Sequence, residues 1–256
     1  MKYQYKNILI IILVLVVIFS VGWSLYSDKK NKEIENDSVE EGDTTANIVP
    51  IDMCFYRSNK TSRGFFDRSW LKLKISGENV TGEFQNLPAE KDSKVGKFEG
   101  TVGPVDQRTM SRTADVLWNS FAEGMHVTEE LLISFGDGSA SVGFGGEQRD
   151  RGDGVYIYTD KSKITYQLPM SQTDCDSLDE KLFVEKYIRD NIKTIATNSP
   201  VLGGSWYVIE VSVNPSSHTA EVTYEDGHIQ SKANIIYNYQ KTTNGVEITE
   251  FKIVEQ

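Results

Sequence analysis

The sequence predicts an N-terminal transmembrane helix, then an all-β domain that is barrel-like (or a sandwich), then a C-terminal α+β domain. Three observations predict this order: one long apolar run near the start, apolar residues at every second position from Ile51 to about Cys175, and a helical period that begins at Ser177 and gives way to four strand patterns. We divide the chain into a cytoplasmic tail (1–7), a transmembrane anchor (8–26), a disordered acidic tether (27–50), a β-barrel-like domain (51–176) and a helix-on-sheet domain (177–256).

The apolar run extends from Ile8 to Tyr26. At 1.5 Å per residue, roughly 19 helical residues span about 28 Å, close to the roughly 30 Å of a bilayer core. The small residues in Ser20-Val21-Gly22 are what a signal peptidase reads, so the alternative stays open that the segment is a signal peptide cleaved near Gly22. In either case a long acidic domain follows the apolar segment, and we expect it to be extracytoplasmic, with a single-pass membrane location in the uncleaved form.

Composition limits the classes of partner. The net charge is −10 and no basic stripe is present, which excludes ordinary nucleic-acid binding. The chain has two cysteines, Cys54 and Cys175, whose spacing matches no zinc or thioredoxin motif. Outside the cytoplasm such a pair favours a disulfide, while two free buried thiols are the alternative.

Alternating patterns predict about eight strands between Ile51 and Cys175, separated by turns rich in Gly, Asp and Asn. Glycines recur at the apolar positions of several strands, as in Gly96-Lys97-Phe98-Glu99-Gly100. Inward glycines relieve crowding where strands bend, so the pattern favours a small barrel over a sandwich.

The predicted helix begins with a capping box, with Ser177 as N-cap and Glu180 three residues later. Its apolar residues fall on one face (Leu178, Leu182, Ile188, Ile192, Ile195, Ala196). Phe183 and Tyr187 stand one turn apart on the opposite face. We therefore expect these two rings to contact the strand domain or a partner.

Four strands close the chain and predict an antiparallel meander under the helix. A two-residue loop at Asp226-Gly227 would pair Glu225 with His228, Tyr224 with Ile229 and Glu221 with Lys232. A three-residue loop ending at Gly245, with that glycine left-handed, would pair Tyr237 with Phe251 and Ile235 with Ile253. The topology resembles cystatin-like and nuclear-transport-factor-like folds, which by itself carries no function.

The sequence offers no strong catalytic or metal-binding pattern. His218 and His228 lie too far apart on the predicted hairpin to share a metal, and His126 has too few neighbouring ligands. The loop with Glu147, Asp150 and Asp153 interleaves arginines and matches no calcium loop, so we interpret it as a solvated hairpin. Gly-x-Ser-x-Gly is absent. Aromatic residues are plentiful and most are expected in the core, although some could line a barrel mouth (Trp70, Trp118, Tyr156, Tyr158, Trp206, Tyr207).

Several stretches carry a resemblance to other proteins: Gly82-Glu83-Phe84-Gln85-Asn86-Leu87-Pro88, Gly100-Thr101-Val102-Gly103-Pro104 and Ala122-Glu123-Gly124-Met125. With them the chain resembles single-anchor envelope proteins of small-genome uncultured bacteria. The resemblance implies a bacterial cell-surface setting. It implies no activity, so no functional residue is carried over.

These observations favour a membrane-anchored, non-enzymatic binding or scaffolding module of the cell envelope. We expect no cofactor, no metal and no nucleic acid, and we expect an envelope protein or a glycan as the partner. One alternative is a small-ligand carrier that uses the barrel interior, which a filling by Phe84, Phe98, Trp118 and Phe144 would exclude. The other is a carboxylate-dependent hydrolase, which needs two carboxylates about 5–10 Å apart in a cleft.

Overall fold

The computed structural model describes residues 49–254. The predicted tail, anchor and most of the tether lie outside the described residues. Residues from Val49 onward form one compact unit, so the β domain and the helix-on-sheet domain contact each other within it.

Eight antiparallel strands close into a barrel, in the spatial order β1-β2-β3-β4-β5-β6-β7-β10, with β10 paired to β1. The pairing of β5 with β6 completes the ring. This confirms the barrel and rules out the sandwich. The barrel strands are β1 (Ile51–Lys60), β2 (Phe66–Ser76), β3 (Asn79–Leu87), β4 (Lys94–Val102), β5 (Ser111–Ala122), β6 (Met125–Gly136), β7 (Ser139–Phe144) and β10 (Thr165–Thr173).

Two short strands, β8 (Gln148–Asp150) and β9 (Val155–Tyr158), lie between β7 and β10 in the chain. They pair with each other, and β9 also runs parallel to the start of β6. The segment with β8 and β9 is held to the barrel by Glu130 as well, whose carboxylate accepts the backbone N–H of Tyr158 and lies 2.9 Å from Lys161 Nζ.

The predicted inward glycines Gly96 and Gly100 lie where β4 leaves no room for a side chain against β5. A Cβ built on Gly96 would lie 2.0 Å from the carbonyl oxygen of Asn119, and one on Gly100 would lie 2.1 Å from that of Asp115. No side chain fits at such distances. The glycines of β4 therefore allow its backbone to lie closer to β5 than any side chain at these positions would permit.

The second part of the unit is the helix α1 (Cys175–Ile195) and a four-stranded antiparallel meander. The strands of the meander are β11 (Tyr207–Asn214), β12 (Thr219–Glu225), β13 (Gln230–Gln240) and β14 (Gly245–Val254). This confirms the predicted α+β architecture.

The helix begins three residues earlier than the capping box predicts. Asp174 is the N-cap, and its carboxylate accepts the backbone N–H of Ser177 at 2.9 Å. An aspartate with extended backbone competes well for this role, so the helix begins before Ser177 is reached. As a result Cys175 is the first helical residue.

The predicted apolar face of α1 is buried, but it is divided between two clusters. Val184, Ile188 and Ile192 are buried with the apolar side of the meander. Leu178 belongs instead to a separate cluster with Cys54 and Trp70 on the outside of the barrel, against which Leu182 also packs. The helix therefore lies between the barrel and the sheet.

The strand order of the meander was predicted correctly but both predicted registers were wrong. Glu225 pairs with Gln230, Tyr224 with Ser231 and Glu221 with Asn234. The turn is wider because the Asp226 carboxylate accepts the backbone N–H groups of both residues that follow Gly227. This arrangement stabilises a four-residue turn where the Asp-Gly pair predicted two.

In the last hairpin Tyr237 pairs with Ile248 and Ile235 with Phe251. The predicted register fails because the loop is residues 241–244, between paired Gln240 and Gly245, where residues 243–245 were predicted. Beyond this turn β14 also carries an extra residue, Thr249, whose hydroxyl donates to the carbonyl of Ile236. The left-handed turn residue is Asn244 and not the predicted Gly245. The extra residue Thr249 is a β-bulge, and a bulge changes the direction of the side chains beyond it.

Candidate functional site

The two cysteines form a disulfide, as the sequence predicts. Cys54 on β1 is bonded to Cys175 at the start of α1, with a Cα–Cα distance of 5.1 Å and a sequence separation of 121. The bond ties the first turn of the helix to the outer wall of the barrel. It is therefore one end of the barrel–helix interface.

The structure places Phe183 and Tyr187 on the solvent side of α1. Phe183 is 39% exposed, and its ring stacks on Tyr239 of β13 with centroids 6.5 Å apart. Tyr187 is half-buried. The expected contact of these two rings with the strand domain or a partner stays a prediction.

The other residues considered from the sequence do not converge. His218 ends a short 3₁₀ turn before β12, not a strand, and its Nδ1 lies 2.9 Å from Glu180 Oε1. His228 lies in the turn after β12, at the opposite end of that strand. In the acidic loop, Arg151 pairs with Asp153 at 2.6 Å and lowers the pKa of that carboxyl. No group of three or more potential metal ligands occurs among residues 49–254.

The barrel interior is occupied by its own side chains. Phe84, Phe98 and Trp118 are at most 3% exposed, and the rings of Phe84 and Trp118 lie 5.0 Å apart. Phe144 packs against the same cluster. An interior filled in this way is a core, which argues against the ligand-carrier alternative.

A different arrangement is found where α1 meets the outside of β2. The outward residues of β2 alternate as Arg68, Trp70 and Lys72. Arg68 pairs with Glu185 and Lys72 with Asp179, and the nearly buried Trp70 lies between these two ion pairs along the strand. The interface therefore combines an apolar centre with charged flanks.

Glu185 is the centre of a charged cluster at this interface. Its Oε1 accepts N–H donors from Arg68 and from both Nε and Nη2 of Arg189. Arg68 Nη1 also lies 3.7 Å from Oε1 of Glu210 and 3.4 Å from the carbonyl oxygen of Val211. Two carboxylates from α1 and β11 thus converge on one guanidinium group.

Burial shifts the pKa values of the groups around this cluster. Desolvation raises the pKa of the Glu210 carboxyl, even though Arg68 and Arg189 oppose the shift. Desolvation lowers the pKa of Lys181, whose Nζ donates to the carbonyl of Val213 and lies 4.6 Å from the ring centre of Tyr56. Shifted pKa values of this kind concentrate at functional sites, although structural ion pairs also cause them.

The charged cluster forms one wall of a solvent-open cleft of about 650 Å³ between β2, β3, α1 and β11. Its volume lies in the range typical of small-ligand sites, roughly 300–1,000 Å³. The other walls are mainly apolar and include Phe65, Phe66, Leu87, Pro88 and Ile209. The cleft therefore has a charged side and an apolar side.

Two N–H donors in the walls of this cleft lack acceptors. Trp70 Nε1 and Arg68 Nε are shielded from solvent, and neither forms a hydrogen bond within the described residues. An unpaired buried donor costs about 1–3 kcal/mol. Such groups are rare in native proteins and call for a reason.

The comparisons with known proteins add no name to this site: no family model, no curated protein and no solved structure matches the chain. Within the described residues, no helix combines the length and the apolar character needed to cross a membrane.

Sequence reasoning missed this site, although two signals were present. Glu185 and Arg189 stand four residues apart on a helix, which is the spacing of an ion pair. Arg68, Trp70 and Lys72 occupy alternate positions of one strand, which exposes a tryptophan on the polar face. An outward tryptophan flanked by two cations is itself a hint that something packs there.

Proposed function

We propose that this chain is a membrane-anchored, non-enzymatic binding module whose ligand site is the cleft between the barrel and α1. The observation that carries the proposal is the pair of unpartnered donors, Arg68 Nε and Trp70 Nε1, in the walls of an open cleft. A protein that kept this cleft for stability alone would gain by giving both groups an acceptor.

The geometry also suits a rigid recognition surface. The disulfide holds one end of α1 to the barrel, and the Arg68–Glu185 ion pair holds the helix again ten residues further along. A pre-organised site loses less conformational entropy when it binds. The disulfide supports an extracytoplasmic location, because such bonds persist in oxidising compartments.

A carboxylate-dependent hydrolase is the second candidate. Glu185 and Glu210 converge in the cleft, and the raised pKa of Glu210 is what a general acid requires. Against it, Arg68 lies between the two carboxylates, and three N–H donors already occupy Glu185 Oε1. This pattern favours an ion-pair cluster over an acid–base pair.

The test uses the full-length chain in lipid nanodiscs on peptide and glycan arrays. Ala89 is exposed at the rim of the cleft, and Thr101 is exposed elsewhere on the barrel. We expect an array signal that Ala89→Trp abolishes, because the new ring fills the cleft, and that the matched variant Thr101→Trp leaves intact. A signal that is equal in both variants would remove the cleft from the proposal.

The same preparation is tested for turnover of ester, glycoside and peptide substrates. The binding module should show no turnover beyond that of Glu210→Gln. Turnover by the unaltered chain that disappears in Glu210→Gln would establish the hydrolase and overturn the binding module.

A further inference from the structure

We infer that the cleft takes the C-terminal carboxylate of a polypeptide that ends in an apolar residue; this rests on the proposed function and names its ligand class. The inference starts from the two unpartnered groups, Arg68 Nε and Trp70 Nε1. Both are donors, so the ligand must supply acceptors. A ligand group that can only donate, such as an ammonium group, would leave both N–H groups unsatisfied.

One cation near the two donors, Lys181, has no carboxylate partner among residues 49–254. The walls of the cleft carry equal numbers of basic and acidic residues: Arg68, Lys186 and Arg189 against Glu185, Asp190 and Glu210. Lys181, on the same helix, adds a further positive charge that interacts with both Arg68 and Glu185. Lys181 forms no ion pair with any carboxylate of residues 49–254, because its ammonium donates to the carbonyl of Val213.

A carboxylate fits the two donors and the nearby Lys181 cation better than a neutral oxygen does. Its two oxygens can accept from a guanidinium and an indole N–H together, and hydrogen bonds to an ionised acceptor are about twice as strong as neutral ones. Because the donors are shielded from solvent, we expect the half-buried side chain of Phe66 or Leu182 to rotate as the carboxylate enters.

The opposite side of the cleft defines what is attached to the carboxylate. Phe65, Phe66, Leu87, Pro88 and Ile209 form a mainly apolar wall, and Phe65 is 43% exposed. An apolar side chain next to the carboxylate would bury against this wall. The cleft is open to solvent, so the rest of a longer chain can leave it. A polypeptide that ends in Leu or Phe supplies the carboxylate, the apolar side chain and a chain that can extend into solvent.

The test measures fluorescence anisotropy of dye-labelled pentapeptides that end in Phe or Leu, with the full-length chain in nanodiscs. Each peptide is compared as the free acid and as the C-terminal amide. We expect the free acid to bind at least about tenfold more tightly, since a hydrogen bond to a charged group is lost in the amide. Equal affinity of acid and amide would overturn the inference.

Trp70→Phe tests the site itself, because it keeps an aromatic ring and removes the indole N–H together with part of the ring volume, a loss that the matched variant below shares. We expect this variant to bind the free-acid peptide about tenfold more weakly. The matched variant Trp118→Phe, in the barrel core, should bind as the unaltered chain does. Equal losses in the two variants, or none in either, would place the peptide elsewhere and overturn the inference.

The failure of this inference can be told apart from failure of the proposed function. An oligosaccharide of uronic acids serves as a competitor, since it carries carboxylates without a peptide chain. If only glycans bind, and Ala89→Trp abolishes that binding, then the cleft is a binding site and the peptide inference is overturned. If neither class binds, both are overturned.

Discussion

The barrel interior and the barrel–helix interface each bury a tryptophan, and they treat its N–H group differently. Trp118 is 1% exposed and donates to the carbonyl of Gly96 at 3.0 Å. Trp70 is 5% exposed, and its N–H has no acceptor in the described part of the chain. The tryptophan of the interior thus has its N–H satisfied, while the interface leaves the N–H of Trp70 and that of Arg68 Nε unpaired.

The difference extends to the residues around each tryptophan. Trp118 is surrounded by an apolar cluster that runs through all eight strands of the barrel. Trp70 belongs to a small cluster with Cys54 and Leu178, bordered by ion pairs. A large satisfied core supplies stability, whereas a small polar-edged contact supplies little of it. The interface is therefore the region that a ligand or a mutation can alter most readily.

Removing the disulfide, which lies in the barrel–helix interface and not in the barrel interior, should have the largest effect on stability. The double variant Cys54→Ser, Cys175→Ser releases a loop closed across 121 positions. In the chain-entropy model we expect the free energy of unfolding to fall by about 4–5 kcal/mol. The measurement is urea unfolding of the full-length chain in detergent micelles.

Reduced and oxidised wild-type protein provide the control for this variant, because the chain has only these two cysteines. Reductant should lower the midpoint of the wild type and leave that of the double variant unchanged. If the double variant unfolds at the midpoint of the oxidised wild type, the barrel–helix interface holds without the disulfide.

The two tryptophans provide a second and smaller test. Both Trp→Phe changes remove similar ring volume, so their difference isolates the hydrogen bond. Trp118→Phe leaves the buried carbonyl of Gly96 without its indole donor, whereas Trp70→Phe removes a donor that has no acceptor. We expect Trp118→Phe to lower the free energy of unfolding by about 1–3 kcal/mol more than Trp70→Phe does.

Thermal unfolding of both variants measures this difference. Trp206→Phe is a useful third variant, since Trp206 is also buried and donates to the carbonyl of Asn198 at 2.9 Å. It should resemble Trp118→Phe. A loss at Trp70 as large as the other two would mean that its N–H is satisfied, and the contrast between core and interface would disappear.

Sequence patterns predicted the fold well because they report local periodicity. The alternation from Ile51, the inward glycines and the two cysteines together led to the barrel and the disulfide. The hairpin registers were missed because both turns differ from the predicted ones: the Asp226 carboxylate widens the first, and the second is a four-residue loop between Gln240 and Gly245. Periodicity carries no information on either effect.

The cleft could not be predicted from periodicity, because its residues are brought together only by tertiary packing. Arg68 and Glu185 are 117 positions apart, and each looks like an ordinary surface charge in its own strand or helix. The sequence placed Leu178 on the same face as the residues that pack on the meander, and only the tertiary structure shows that Leu178 packs on the barrel instead.

The smallest expected effects are two pH dependences of opposite sign. Desolvation raises the pKa of Glu210 above its ordinary value of 4.5. The folded state then binds this proton more tightly than the unfolded state, so the contribution of Glu210 to stability falls as pH rises above 4.5. Asp226 is buried in a turn, which alone would raise its pKa, but N–H groups of Ile229, Val201 and His228 more than offset this and lower it.

The contribution of Asp226 should therefore be present above the ordinary carboxyl value of 3.8 and be lost as pH falls below it. Melting temperatures of the wild type, Glu210→Gln and Asp226→Asn between pH 3 and pH 7 measure both pH dependences. Relative to wild type, Glu210→Gln should gain stability as pH rises, and Asp226→Asn should lose it. If both variants lose stability relative to wild type as pH rises, Glu210 is stabilised as an anion by Arg68. The interface would then be an ion-pair network whose charges are as well satisfied as those of the turn.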